Sequence, residues 1–310
     1  MTALHRRFAG LLALAMLAGA RPAGAGEEVF DCRFTGDVQG DRPPRARWLT
    51  RDGLFRPLLA GTREPRFGGG LHGVRALSTS LDGGLLGGGH FAGWIELGGG
   101  VALVSYRPAD GCDGIAVRLE AGIASQFDLT SESNDLVNTD YLVGLPVTFR
   151  TGAWSGRLRL YHQSSHLGDE LLLNHPEVQR VSLSFEVIEA LAAIDGAFWR
   201  AYGGAGLIIH SRTDLERLIL RLGFDAWSEP WSVWVPVLPD FTWVISADLE
   251  SFSVRGFEPT ISLKAGVQLA RPVLGRVALL GTALLGYLPF GQFVTTQRCH
   301  AVGVEAQIDF

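Results

Sequence analysis

Alternation of apolar and polar side chains with a period of two recurs through most of this chain and runs almost to its last residue. Period two is the signature of a β-strand with one apolar face and one wet face. The stretch from Ala153 to Gly168 shows it most clearly. Trp154, Gly156, Leu158 and Leu160 are apolar or small, and Ser155, Arg157, Arg159, Tyr161 and Gln163 between them are polar. The next two residues on the apolar face are His162 and Ser164, so an imidazole and a hydroxyl sit side by side where hydrocarbon is expected.

The amino terminus reads as a secretory leader over residues 1–25. Basic His5, Arg6 and Arg7 precede an apolar run from Phe8 to Ala20, and Ala23-Gly24-Ala25 has the small-x-small form of a cleavage site. That run, at roughly 13 residues, falls short of the ~20 needed to span a bilayer as a helix. Beyond it there is no second apolar run of membrane-helix length, yet the chain holds 40 glycines and 8 tryptophans and is 47% hydrophobic. Alternation without helical periodicity in so apolar a chain predicts an all-β fold, a transmembrane antiparallel β-barrel of the bacterial outer membrane. The net charge of −5 gives no reason to expect nucleic acid as a partner.

Residues 26–65 are turn-rich, with Pro43, Pro44, Pro57 and Pro65, and read as a periplasmic or lumen-plugging segment. The barrel is expected over 66–310. Triple-glycine runs at 68–70, 87–89 and 98–100 suit bends and close packing. From Ile115 on, apolar faces follow in series, among them Tyr141 to Phe149, Val181 with Leu183, Phe185 and Val187, Trp199 to Ile209, and Val302 to Phe310. About ten strands after Ile115 and about twelve in all give the even number such barrels have. With the carboxy terminus periplasmic, counting back makes the strand at 154–166 run outward. The tight Thr151-Gly152-Ala153 before it and the long link from Leu167 to Glu177 after it agree, because periplasmic turns are short and external loops long. His162 and Ser164 are then expected near the outer rim, facing lipid.

Charges of both signs are expected inside the barrel. Arg118, Arg157, Arg159, Arg200, Arg221, Lys264 and Arg276 face Glu120, Asp140, Glu186, Asp225, Asp248, Glu250 and Glu305, which predicts a cross-linked lumen rather than a wide pore. Trp154, Trp199, Trp227 and Trp243 fit aromatic girdles at the membrane interfaces. Of three cysteines, Cys32 and Cys112 fall on the periplasmic side and could form a bridge, whereas Cys299 starts the last strand at the outer end. No cysteine spacing suits a metal. His162 and His166 would be about 13 Å apart on a strand, too far for one ion. No cofactor is called for, and a divalent cation such as calcium has no residue pattern behind it.

Two motifs carry a resemblance. Phe55-Arg56-Pro57-Leu58-Leu59-Ala60 with Arg63-Glu64-Pro65-Arg66-Phe67, and the run from Leu158 to Glu170, are similar to a bacterial family known as domain of unknown function 1207. That resemblance implies an outer-membrane barrel and brings no activity with it. The ending from Val302 to Phe310 resembles the carboxy-terminal signal by which such barrels engage the barrel-assembly machinery. His162-Gln163-Ser164 resembles the His-x-Ser element of outer-membrane phospholipase A and, more loosely, of the lipid A deacylase barrel. There the histidine is general base and the serine nucleophile, on the outer wall at the level of the outer leaflet. The chain departs from the phospholipase after that element, with Ser165-His166 in place of Asn-Gly.

A serine hydroxyl becomes a competent nucleophile when an adjacent base takes its proton and a third group holds that base. The resemblance therefore implies Ser164 as nucleophile, His162 as base, and Asn174 or Glu177 as the orienting group, with Asp169 and Glu170 as nearer options. An unpaired polar group against hydrocarbon costs about 1–3 kcal/mol, so this pair calls for a reason. Hydrolysis of an acyl ester in a phospholipid or lipopolysaccharide of the outer leaflet would supply one. The competing reading is a non-catalytic structural barrel or narrow solute channel, in which the strand simply turns polar on both faces as it passes the membrane edge.

Overall fold

The computed structural model describes residues 45–50, 53–77, 89–108, 113–176, 178–213, 215, 217–231, 240–271 and 275–309. The expected leader at 1–25, Cys32, Cys112, Glu177 and Phe310 lie outside them. The elements are β1 (Arg45–Thr50), β2 (Phe67–Ala76), β3 (Gly89–Arg107), β4 (Gly114–Asp128), β5 (Leu136–Thr151), β6 (Trp154–Leu167), α1 (Asp169–Asn174), β7 (Ser184–Asp195), β8 (Trp199–Ser211), β9 (Leu218–Trp227), β10 (Phe241–Phe252), β11 (Pro259–Arg271), β12 (Gly275–Tyr287) and β13 (Arg298–Asp309). Strands β2 to β13 each pair antiparallel with the next, and β13 pairs back onto β2, closing a barrel of 12 strands. Closure leaves these strands no free edge, which is the requirement for a sheet that meets lipid. Among the described residues no helix is long and apolar enough to cross a membrane.

The two ends of the barrel differ. Links β5–β6, β7–β8 and β11–β12 are tight and lie at the end where β13 finishes, β9–β10 being the long link there, whereas the opposite end carries β6–β7, with α1, and β12–β13. Along β6, Trp154, Leu158 and Leu160 are exposed while Ser155, Arg157, Arg159 and Tyr161 are buried. The same parity runs round the wall, with Ile123, Val143, Leu145, Leu222, Ile245, Leu279 and Val304 all turned outward. So broad an apolar exterior is foreign to a protein bathed in water and ordinary for one bathed in lipid. Trp154, Trp199 and Trp243 are exposed near the tight-turn end, as a girdle requires. Trp227 is not part of it, because the Arg56 guanidinium stacks 4.0 Å over its ring.

The interior is filled by charge. Arg159 and Arg221 are almost fully buried. Arg159 reaches Glu120 and Glu189 at 3.0 Å each. Arg221 reaches Glu250 at 2.7 Å and both Glu189 and Asp248 at 3.4 Å. Much of the net is anchored on an insert. β1 and β2 lie on the same edge of β3, pairing with its residues 102–107 and 89–96, and between them the chain leaves the wall and passes through the lumen. There Glu64 takes a bidentate pair of bonds from Arg157, at 2.7 and 2.8 Å, and Arg63 pairs with Glu250. Phe55 and Leu58 pack with Leu191, Ala193 and Tyr202 of the inner wall. Gly98 and Gly122 pair across β3–β4, and a Cβ on either would meet Pro65 at 3.1–3.2 Å. Those glycines let the insert rejoin the wall. The motif from Phe55 to Arg66 is thus largely interior packing, with Phe67 opening β2 on the wall, and the cavities beside it are about 30 and 40 Å³, space for little more than single waters.

β7 corrects the sequence reading. Phe185 and Val187 are fully buried and Ile188 is exposed, so the apolar series Leu183, Phe185, Val187 faces inward and Glu186 faces outward. The inward acids of this strand are Glu189 and Asp195. The cause is a second apolar cluster inside the barrel, where Phe185 and Val187 pack with Tyr161, Ile208, Ile219 and Phe252. With both faces apolar, alternation no longer reports which one meets lipid. Cys299 is fully buried in a separate interior cluster with Trp94 and Phe290.

Removing one partner of a buried ion pair leaves the other charge without compensation, at about 3–5 kcal/mol. Glu64→Ala is therefore expected to lower the temperature at which the folded barrel loses its compact electrophoretic mobility, whereas exposed Glu132→Ala should leave it unchanged. Equal transitions for the two variants would contradict the account of the lumen.

Candidate functional site

Two buried arginines decide where the candidate pair points. Arg157 and Arg159 are committed to Glu64, Glu120 and Glu189 inside the barrel, and side chains along a strand alternate between faces. The even residues of β6 must then face outward, and His162 and Ser164 do, continuing the exterior row of Leu158 and Leu160. Ser164 lies opposite Tyr141 of β5 and Ser184 of β7, and His162 lies opposite Val143 and Glu186. Tyr141 and Val143 are both exposed on the wall, so the pair sits at the margin of the apolar belt toward the long-loop end.

The hydrogen bond that His162 makes goes to Glu186, not to Ser164. Its Nδ1 lies 2.8 Å from Glu186 Oε1. An ionised carboxylate only accepts, so the Nδ1–H donates and the other ring nitrogen, Nε2, is left as the basic atom of the neutral ring. The second oxygen of Glu186 lies 2.6 Å from His210 Nδ1. Glu186 is thus held between two imidazoles on the outer wall, with Ser164 one step further along β6.

Neither Glu186 nor His210 follows from alternation alone. Glu186 is hidden by the inverted parity of β7. His210 is turned outward by a β-bulge, since Glu186 pairs with His210 while Val187 pairs with Ile208, leaving Ile209 as the extra residue. Ile209 and His210 are consecutive and both exposed, which a regular strand does not allow. The unbroken apolar run Leu207-Ile208-Ile209 is the trace this leaves in the sequence.

Asn174 is employed elsewhere. It ends α1, and its Nδ2 donates to Asp135 Oδ2 at 2.6 Å. Hydrogen bonds from Ser133 and Asn174 hold the Asp135 carboxyl below its ordinary range. The group bonded to His162 is Glu186 rather than Asn174, for a topological reason: the adjacent strand comes closer to His162 than the intervening loop does. Glu177, the other candidate, lies outside the described residues, and Asp169 and Glu170 are exposed at the start of α1. His166 continues the exterior row, edge-on to Tyr141 at 5.7 Å between ring centres and 3.4 Å from Arg180 Nη2. Among the described residues no cluster of His, Cys, Asp or Glu has the arrangement of a metal site.

In a protein whose native cysteines are replaced, a cysteine at position 164 is expected to react with a membrane-partitioned thiol reagent while one at position 163 stays protected. The reverse pattern would overturn the orientation of the pair.

The fold is similar to that of solved outer-membrane phospholipases. The Salmonella typhi outer membrane phospholipase dimer with bound calcium matches with a TM-score of 0.51 and 15% identity, over 83% of this chain and 95% of that one. Outer membrane phospholipase A from Escherichia coli matches with a TM-score of 0.51 and 14% identity, over 79% of this chain and 96% of the other. At such identities the likeness concerns the fold, an outer-membrane-type barrel. No curated protein matches in sequence. Residues 44–310 match the family described as protein of unknown function, DUF1207, and the chain belongs to that family.

Proposed function

We infer that this barrel hydrolyses an acyl ester of a lipid in the outer leaflet of the outer membrane, phospholipid or lipopolysaccharide, with Ser164 as nucleophile, His162 as general base and Glu186 as the group that orients the base. The observation that carries the reading is the 2.8 Å bond from His162 Nδ1 to Glu186, made on the exterior wall beside a serine on the same face. A hydroxyl, an imidazole and a carboxylate in that order are the parts needed to activate a serine.

The steps follow from the groups present. Nε2 of His162 takes the proton of the Ser164 hydroxyl as its oxygen bonds to the ester carbonyl carbon. The resulting imidazolium is stabilised by Glu186. Collapse of the tetrahedral adduct breaks the bond to the alcohol part of the lipid, whose oxygen receives the proton from Nε2, and the acyl group stays on Ser164. A water molecule, deprotonated by the same nitrogen, then releases the fatty acid and restores the serine. The substrate class follows from location. Ser164 flanks Tyr141 at the edge of the apolar belt, the height at which ester linkages meet headgroups, and barrels of this type have their long links outside the cell.

The packed lumen leaves the solute-channel reading with little support, since Arg157, Arg159, Arg221 and the insert occupy the space a pore would need.

Purified protein in detergent is expected to release fatty acid from phospholipid or lipopolysaccharide. Ser164→Ala should abolish release, and Glu186→Ala should lower kcat by up to about 10⁴-fold, the loss when a triad's base is no longer held in the right tautomer by its acid. Asn174→Ala, which loosens only its loop, should stay within about twofold, as surface changes away from the chemistry do. Wild-type protein no more active than Ser164→Ala, across detergents and with or without divalent ions, would contradict the reading.

A further inference from the structure

Glu186 has two oxygens and two imidazole partners, and the proposed hydrolysis uses only one of them. The other, His210, reaches the carboxylate through an irregularity of the wall. β7 and β8 pair in steady register from Asp195↔Arg200 to Val187↔Ile208, and continuing that register would set Ile209 opposite Glu186 and turn His210 into the lumen. The extra residue instead brings His210 opposite Glu186 and onto the outside, with its Nδ1 2.6 Å from Oε2. A bulge interrupts the ladder and leaves a residue unpaired, so one that re-aims a polar side chain onto a lipid-side carboxylate is a positional device.

We propose that His210 is a positioning residue that holds Glu186 by its second oxygen and so keeps the first oxygen on Nδ1 of His162. This rests on the hydrolase reading and extends it from three residues to four. A glutamate on an exposed wall has free rotation about its side-chain bonds, and a single hydrogen bond at Oε1 leaves the carboxylate able to swing away. Anchoring Oε2 from the opposite neighbouring strand removes that freedom, since β6 and β8 grip the same group from its two sides. With Glu186 fixed, the His162 ring keeps Nδ1–H toward the acid and Nε2 as its basic atom. His210 touches no reacting atom in this scheme, and its contribution passes through Glu186.

The test is a double-mutant cycle with a conservative rescue. His210→Ala is expected to lower kcat about tenfold or more with KM nearly unchanged, while the barrel keeps its heat-dependent mobility shift. His210→Asn, whose amide nitrogen can occupy the place of Nδ1, should recover most of the loss. In a Glu186→Ala background, His210→Ala should cause no further loss. Full activity in His210→Ala, or an equal loss with and without Glu186, would overturn the proposal while leaving the hydrolase reading intact. A readout free of turnover separates the two further. In protein labelled with nitrogen-15 at histidine, the Nδ1 resonance of His162 should move from a single protonated species toward a mixture of tautomers in His210→Ala. An unchanged resonance would overturn the proposal even if the wild-type protein released no fatty acid.

Discussion

The buried guanidinium groups of β6 are the constraint on which the rest depends. Arg157 and Arg159 are tied to Glu64, Glu120 and Glu189 inside the barrel, and a slip of one residue would expel both charges into lipid and bury Leu158 and Leu160 among ions. Burying these charges stabilises little in itself, because desolvation consumes most of the Coulomb energy. What it does is forbid the alternative register. The lumen net thereby fixes the lipid-facing position of His162 and Ser164 without contacting either.

The insert completes that constraint. By crossing the lumen between β1 and β2, the segment from Phe55 to Arg66 supplies Glu64 to Arg157 and a backbone carbonyl, that of Arg63, to Arg159 at 3.1 Å. A barrel of 12 strands without such filling would enclose water around its arginines. Here the interior is packed with charge and the candidate pair stands on the exterior wall, whereas ligand sites are usually clefts. In the proposed hydrolysis the membrane takes the place of the cleft, excluding water from one side of Glu186 and presenting lipid from that side.

Barrel, strand number and the outward face of β6 were legible in the sequence because Arg157 and Arg159 break the apolar pattern on one parity only. The third group of the site was not. On β7 the interior cluster around Phe185 and Val187 makes both faces apolar, so the strand was read inside out and Glu186 was counted among the lumen charges. His210 was hidden by the bulge at Ile209, since a one-residue insertion in a ladder leaves no mark beyond an apolar run. Asn174 and Glu177 were chosen for their distance along the chain from His162, whereas nearness across a sheet is set by pairing, and His162 pairs with Glu186.

The central claim is that the Ser164 hydroxyl is activated on the outer wall by His162. It is tested most directly by treating the folded barrel with an alkyl fluorophosphonate and locating the adduct by mass spectrometry. The account predicts covalent phosphonylation of Ser164 that disappears in His162→Ala and falls sharply in Glu186→Ala. Absence of an adduct on Ser164 in the folded wild-type protein, or labelling that persists without His162, would contradict it.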